Sequence, residues 1–139
     1  MPTLSRWFVK AGFVALAAAL VLELLLARAP GLWPAVPNAA LHLGAIHLLT
    51  VGWLLQVITG VAFWMFPRHP TRPPRGDARP GWAALLLLNV GLVFRLGGET
   101  WRLGFGGPRW PLVIAAVLQL AAVCLALWIL WPRIRVMNS

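Results

Sequence analysis

Four apolar runs, fenced by proline, glycine and arginine, dictate what this chain can become. They cover residues 7–26, 39–66, 82–101 and 110–131. Roughly 20 apolar residues in a helix cross the ~30 Å hydrocarbon core of a bilayer. In that solvent the backbone must satisfy its own hydrogen bonds, which selects helices for such runs. The pattern predicts an all-α fold: an integral membrane, antiparallel four-helix bundle made by one transmembrane domain over residues 1–139. Composition agrees. The chain is 60% hydrophobic and 11% charged, whereas soluble domains carry about 25% charged residues. Too few polar side chains remain to cover a water-facing surface.

The boundaries follow from punctuation. The first run starts at Trp7 and passes Lys10 and Glu23; its segment AAALVLELLL is too long for a cleaved leader and reads as a retained helix. Pro30-Gly31 ends it, and Asn38 is the expected cap of the second run. That second run would be about 42 Å long at 1.5 Å per residue, so it must tilt or protrude. Residues 67–80, PRHPTRPPRGDARP, hold five prolines and four arginines and read as an exposed linker. Gly97-Gly98 offers a break in the third run, and residues 103–108 read as a turn. Pro111 suits a first helical turn, and Pro132 marks the end of the fourth run.

The net charge of +9 lies mostly outside the apolar runs, which argues for lipid headgroups and against nucleic acid. Arg6, Lys10, Arg68, Arg72, Arg75, Arg79, Arg133 and Arg135 fall on the side of both termini; Arg28, Arg95, Arg102 and Arg109 fall on or near the other. That excess predicts cytoplasmic termini in a bacterial-type inner membrane. Tryptophans gather at both expected interfaces: Trp7, Trp64, Trp82, Trp128 and Trp131 inside, and Trp33, Trp101 and Trp110 outside. Cys124, the only cysteine, sits in an apolar run and is expected to be buried in the core.

Ionisable groups within spans are costly and mark function by default. Glu23, His47, Arg95 and Glu99 fall at similar depth near the outer end, as a ligand site or a salt-bridged network. Deeper, Gln56 is expected to pair with Asn89, with Gln119 as a further member. Gly44, Gly52 and Gly60 recur every eight residues and predict close approach of another helix or of a second copy of the chain. His42 and His47 are five positions apart, about 500° of rotation, and so point about 140° apart. They cannot easily clasp one metal from the same helix.

The segment HLLTVGWLLQVITGVAFWMFPR, His47 to Arg68, resembles the ligand-bearing second helix of haem–copper oxidase catalytic subunits and nitric oxide reductases, and small four-span membrane proteins related to them. His47, Gly52, Trp53, Gly60, Phe63, Trp64, Pro67 and Arg68 carry the likeness. The resemblance implies haem b, with His47 as iron ligand. The other axial position is then filled by His47 or His42 of a second copy, or stays open. Arg95, with Arg102 or Arg109, would pair with the propionates. The chain lacks the twelve or more spans of the large subunits, the later histidine-bearing helix, and any tyrosine; the likeness therefore does not extend to oxygen reduction.

These features predict a haem b-binding membrane protein for electron transfer, gas sensing or haem handling, working as a homodimer. Two alternatives remain open. One is a non-catalytic partner or assembly factor of a larger respiratory complex. The other is a small dimeric exporter with Glu23 as its proton-coupled carboxylate. The sequence names no catalytic residue; it holds no phosphate-binding loop and no zinc-ligand cluster.

Overall fold

A computed structural model describes residues 1–29, 31, 33–66 and 77–135. All regular structure among them is helical: α1 (Thr3–Arg28), α2 (Asn38–His47), a π-helical segment (Leu48–Leu55), α3 (Gln56–Met65), α4 (Arg79–Phe105) and α5 (Trp110–Arg135). The segment from α2 through α3 is one 28-residue rod, Asn38–Met65. It and the other three helices are each long and apolar enough to cross a membrane. Their outward faces are apolar too: Val14, Leu86, Val93, Leu120 and Trp128 are all more than 60% exposed. That is the surface expected against lipid rather than water.

The helices run alternately up and down. At the end where α1 begins and α5 finishes, Leu4 and Phe8 of α1, Phe63 of α3, Ala84 and Leu85 of α4, and Leu130 of α5 form one buried cluster. Trp7 and Trp82 lie side by side there, with ring centroids 6.5 Å apart. At the opposite end Trp101 meets Trp110 edge-on at 6.2 Å. Two of the expected tryptophan groupings are thus in contact, one at each end of the bundle.

The bundle is less closed than expected. It consists of two helical hairpins, α1 against the rod and α4 against α5. The hairpins join through the rod and α4, while α1 barely touches α4 along its length. Small residues explain the pairing. A Cβ added to Gly12 would stand 3.3 Å from the Trp53 carbonyl oxygen; one at Gly52 would stand 2.8 Å from Ala15 Cβ. The α4–α5 seam is built similarly, with Gly91 against the Ala115 carbonyl oxygen and Gly98 against Pro111 and Leu112. The periodic glycines of the rod thus serve contacts within the chain: Gly52 and Gly60 on α1, and Gly44 on Leu96 of α4. They give no separate argument for a second copy.

Several local expectations change. Gly97-Gly98 does not break α4, which continues to Phe105 and ends on Gly106 at φ +66°; the helix is held together there by packing on α5 and capped by a left-handed glycine. Arg79 and Pro80 already belong to α4, whose first turn tolerates proline. The rest of the linker expected over 67–80, residues 67–76, lies outside the described residues. Asn38 is the first helical residue rather than the cap, a place taken by Pro37. Cys124 is exposed on the outer face of α5, because Ala122 and Leu130 hold the inward positions of that helix.

Pro132 does not end α5. The helix runs on to Arg135, and Arg133 folds inward to 1% exposure. Its Nη2 donates to the carbonyl oxygens of Phe63 (3.2 Å) and Phe66 (2.7 Å), and its guanidinium lies 5.2 Å from the Phe63 ring centroid. These carbonyls are at the C-terminus of α3, where oxygens lack helical partners. Arg133, read from sequence as one more basic flank, ties the fourth helix to the second.

Gln56 and Asn89 pair as expected. The Asn89 amide donates to Gln56 Oε1 at 3.1 Å, and the Gln56 amide to Asn89 Oδ1 at 3.2 Å. Gln56 is fully buried, so this reciprocal bond joins the two hairpins at mid-depth. Gln119 does not join it; its stem packs on Gly91 and its Nε2 has no partner among the described residues. Gln56→Leu should cost about 1–3 kcal/mol by stranding the Asn89 amide. Adding Asn89→Leu should recover part of that loss in thermal unfolding in detergent, and a double mutant as unstable as the sum would contradict the coupling.

Candidate functional site

The polar layer lies at the end opposite the start of α1 and is divided by the rod. His42 and His47 both belong to the regular α2, so their rotation about the axis is that of an ordinary helix. His42 turns toward α1, where its Nδ1–H donates to Glu23 Oε1 at 2.6 Å. His47 turns toward α4, where Nδ1 lies 3.7 Å from Glu99 Oε1. The two histidines face different neighbours, as their spacing requires. Glu23 is therefore separated from the cluster that His47, Arg95 and Glu99 form.

That cluster centres on a buried carboxylate. Glu99 is 5% exposed. Its Oε1 accepts from Arg95 Nε at 2.8 Å, one helical turn back. Its Oε2 is buried and has no hydrogen-bond partner among the described residues. Arg95 supplies the compensating charge that a buried carboxylate needs. Arg102 and Arg109 stand elsewhere. Arg102 Nη1 donates to the Gly107 carbonyl oxygen at 3.2 Å, across the α4–α5 turn. Arg109 is exposed just before α5, where its carbonyl oxygen accepts from the first turn of that helix. Of the three arginines expected around His47, the structure brings in Arg95 alone among the described residues.

The shortest contact of the His47 ring is within its own helix. Nδ1 lies 2.8 Å from the Leu43 carbonyl oxygen. A carbonyl oxygen only accepts, so Nδ1 carries the hydrogen. In the neutral ring, Nε2 then holds the free lone pair, the one a metal takes. A ring N–H fixed on a backbone carbonyl is the usual second contact of metal-ligating histidines. His42 has the same polarity, with a carboxylate as its acceptor, but its side chain is 60% exposed against 22% for His47.

Comparison with protein-family models, curated proteins and solved structures finds no match. Among the described residues no three histidine, cysteine or carboxylate side chains converge on one point. A bare metal ion would lack a protein coordination sphere here. What His47 offers is one oriented imidazole nitrogen.

Sequence reasoning missed one feature beside this site. The π-helical segment begins at Leu48, directly after His47, and ends at Gln56. Such segments widen the hydrogen-bond ring to i→i+5 and occur often at functional sites. Here the segment sets the rotation between the histidines above and the Gln56 and Gly60 contacts below. No proline or glycine pair announces it; Gly52 alone, pressed against α1, lies inside it.

Proposed function

We propose that the chain is a multi-pass protein of a bacterial-type inner membrane that holds haem b on His47, for electron transfer, gas sensing or haem handling. The observation carrying this reading is the 2.8 Å bond from His47 Nδ1–H to the Leu43 carbonyl oxygen. It orients the ring and leaves Nε2 as the ligand atom. The donor set fits the group. Arg95 spends Nε on Glu99, and the rest of its guanidinium offers further N–H donors for a propionate. Bound haem would supply a reversible one-electron couple. His47 would supply the nitrogen that holds the iron, and Arg95, whose charge Glu99 already shares, would offer its remaining donors. Haem assay of protein expressed with iron and a haem precursor should give at least one haem for every two chains; haem-free protein of normal fold would remove the proposal.

The arginine excess supports a topology with both termini in the cytoplasm. In a Cys124→Ala background, cysteines at Gly106 and Ala78 give the test. Membrane-impermeant label should reach Gly106 in intact cells, and Ala78 only after permeabilisation. The reverse pattern would invert the topology.

A bis-histidine site would need a second copy of the chain, because the rod carries both membrane-embedded histidines and they face apart. A homodimer thus belongs to the bis-histidine form of the haem reading, and mass measurement in mild detergent addresses it. A second reading, partner or assembly factor of a larger respiratory complex, is favoured by the open arrangement of the hairpins, which leaves α1 and α5 with broad unpartnered apolar faces.

A further inference from the structure

The space between α1 and α4, where the hairpins do not close, is a groove of about 320 Å³. Its walls are Ala11, Val14 and Ala18 of α1 and Leu92, Val93 and Leu96 of α4, and Leu48 of the rod helps line it. From Lys10 to Ala18 it extends about 12 Å along α1. Asn89 also lines it, but that amide is committed to Gln56 and the Leu85 carbonyl oxygen. The one charged group in the lining is Lys10, next to Trp7.

Lys10 is placed as a headgroup ligand. Side chains on a helix lean toward its N-terminus, and the Lys10 Nζ lies 5.8 Å from the Trp7 ring centroid. The ammonium thus reaches toward the level of the Trp7–Trp82 pair, while its methylenes stay along the groove. One end of the groove is cationic and aromatic, and the remainder is apolar. We infer that this groove is a binding site for one acyl chain of an anionic phospholipid, with the phosphate on Lys10. The complementarity selects a single negatively charged headgroup at the terminal end. A transmembrane helix from another protein would meet the same apolar walls but leave Lys10 without an anion.

Native mass spectrometry of the full chain in mild detergent tests this, with equimolar phosphatidylglycerol and phosphatidylcholine of identical acyl chains. The wild type should retain phosphatidylglycerol about five-fold over phosphatidylcholine, the preference expected of one lysine near an anionic surface. Lys10→Gln should bring the ratio to about one. Ala18→Phe should fill the groove and reduce retention of both lipids. Equal retention by the wild type, or an unchanged preference in Lys10→Gln, overturns the inference even if Ala18→Phe fails to fold. Stoichiometric copurification of a polypeptide that excludes lipid would overturn it as well.

Discussion

Gly60→Val should be among the most damaging single substitutions in this chain, lowering stability by about 1–3 kcal/mol or more. A Cβ at Gly60 would lie 2.8 Å from Phe8 Cβ and 3.1 Å from the Ser5 carbonyl oxygen. The second contact is backbone, so no rotamer change relieves it; α1 must move away from α3. That motion also disturbs the cluster of Phe8, Phe63, Leu85 and Leu130, where all four spans meet. Gly97→Ala is the matched control. Nothing lies within 4 Å of a Cβ there, and removing a glycine from a helix interior should add about 0.5–1 kcal/mol. Thermal unfolding of the two variants in one detergent should shift in opposite directions. Equal shifts would mean that close approach at Gly60 is not what holds α1 to the rod.

The extent of the fold that the sequence discloses is set by the kind of signal. Apolar runs and proline–glycine punctuation are local, so the four helices appear at nearly their observed limits. Depth along a helix is also local. It follows from residue count alone, which is why Gln56 and Asn89 could be paired before any contact was known. What local signals do not carry is which helices touch. The glycine series of the rod looked equally suited to a neighbour or a second copy, and only packing shows Gly52 and Gly60 on α1 and Gly44 on α4. Terminators are weaker evidence in long helices. Gly97-Gly98 and Pro132 sit within helices because α4 and α5 hold each other along most of their length.

The candidate site divides in the same way. Rotation about α2 was readable, and it separates His42 from His47. Assigning Glu99 to His47 and Glu23 to His42 needed the positions of α1 and α4 around the rod. Sequence and depth put Arg95, Arg102 and Arg109 together, but Arg102 is drawn to the turn carbonyl of Gly107, which sequence spacing does not reveal. Arg133 was hidden for the opposite reason. A basic residue after an apolar run ordinarily faces headgroups, and this one is buried on the open carbonyls of α3.

On the proposed haem reading, His47→Ala should abolish haem binding, whereas His42→Ala should leave a haem spectrum. His47 has its Nδ1–H fixed by the Leu43 carbonyl oxygen and a mostly buried ring beside Glu99 and Arg95. His42 is more exposed and is held by Glu23 on the other side of the rod. An alanine methyl in place of the proposed ligand cannot bind iron, so retention should fall at least ten-fold. The direct measurement is the absorption spectrum of freshly purified protein, oxidised and reduced, for the wild type and both variants, with folding checked by circular dichroism. Soret and α-bands present in the wild type and His42→Ala but lost in folded His47→Ala are the predicted result. Loss in both variants would place the two histidines on opposite faces of haem across a dimer and contradict the sole role given to His47. Bands retained in His47→Ala would contradict the assignment itself.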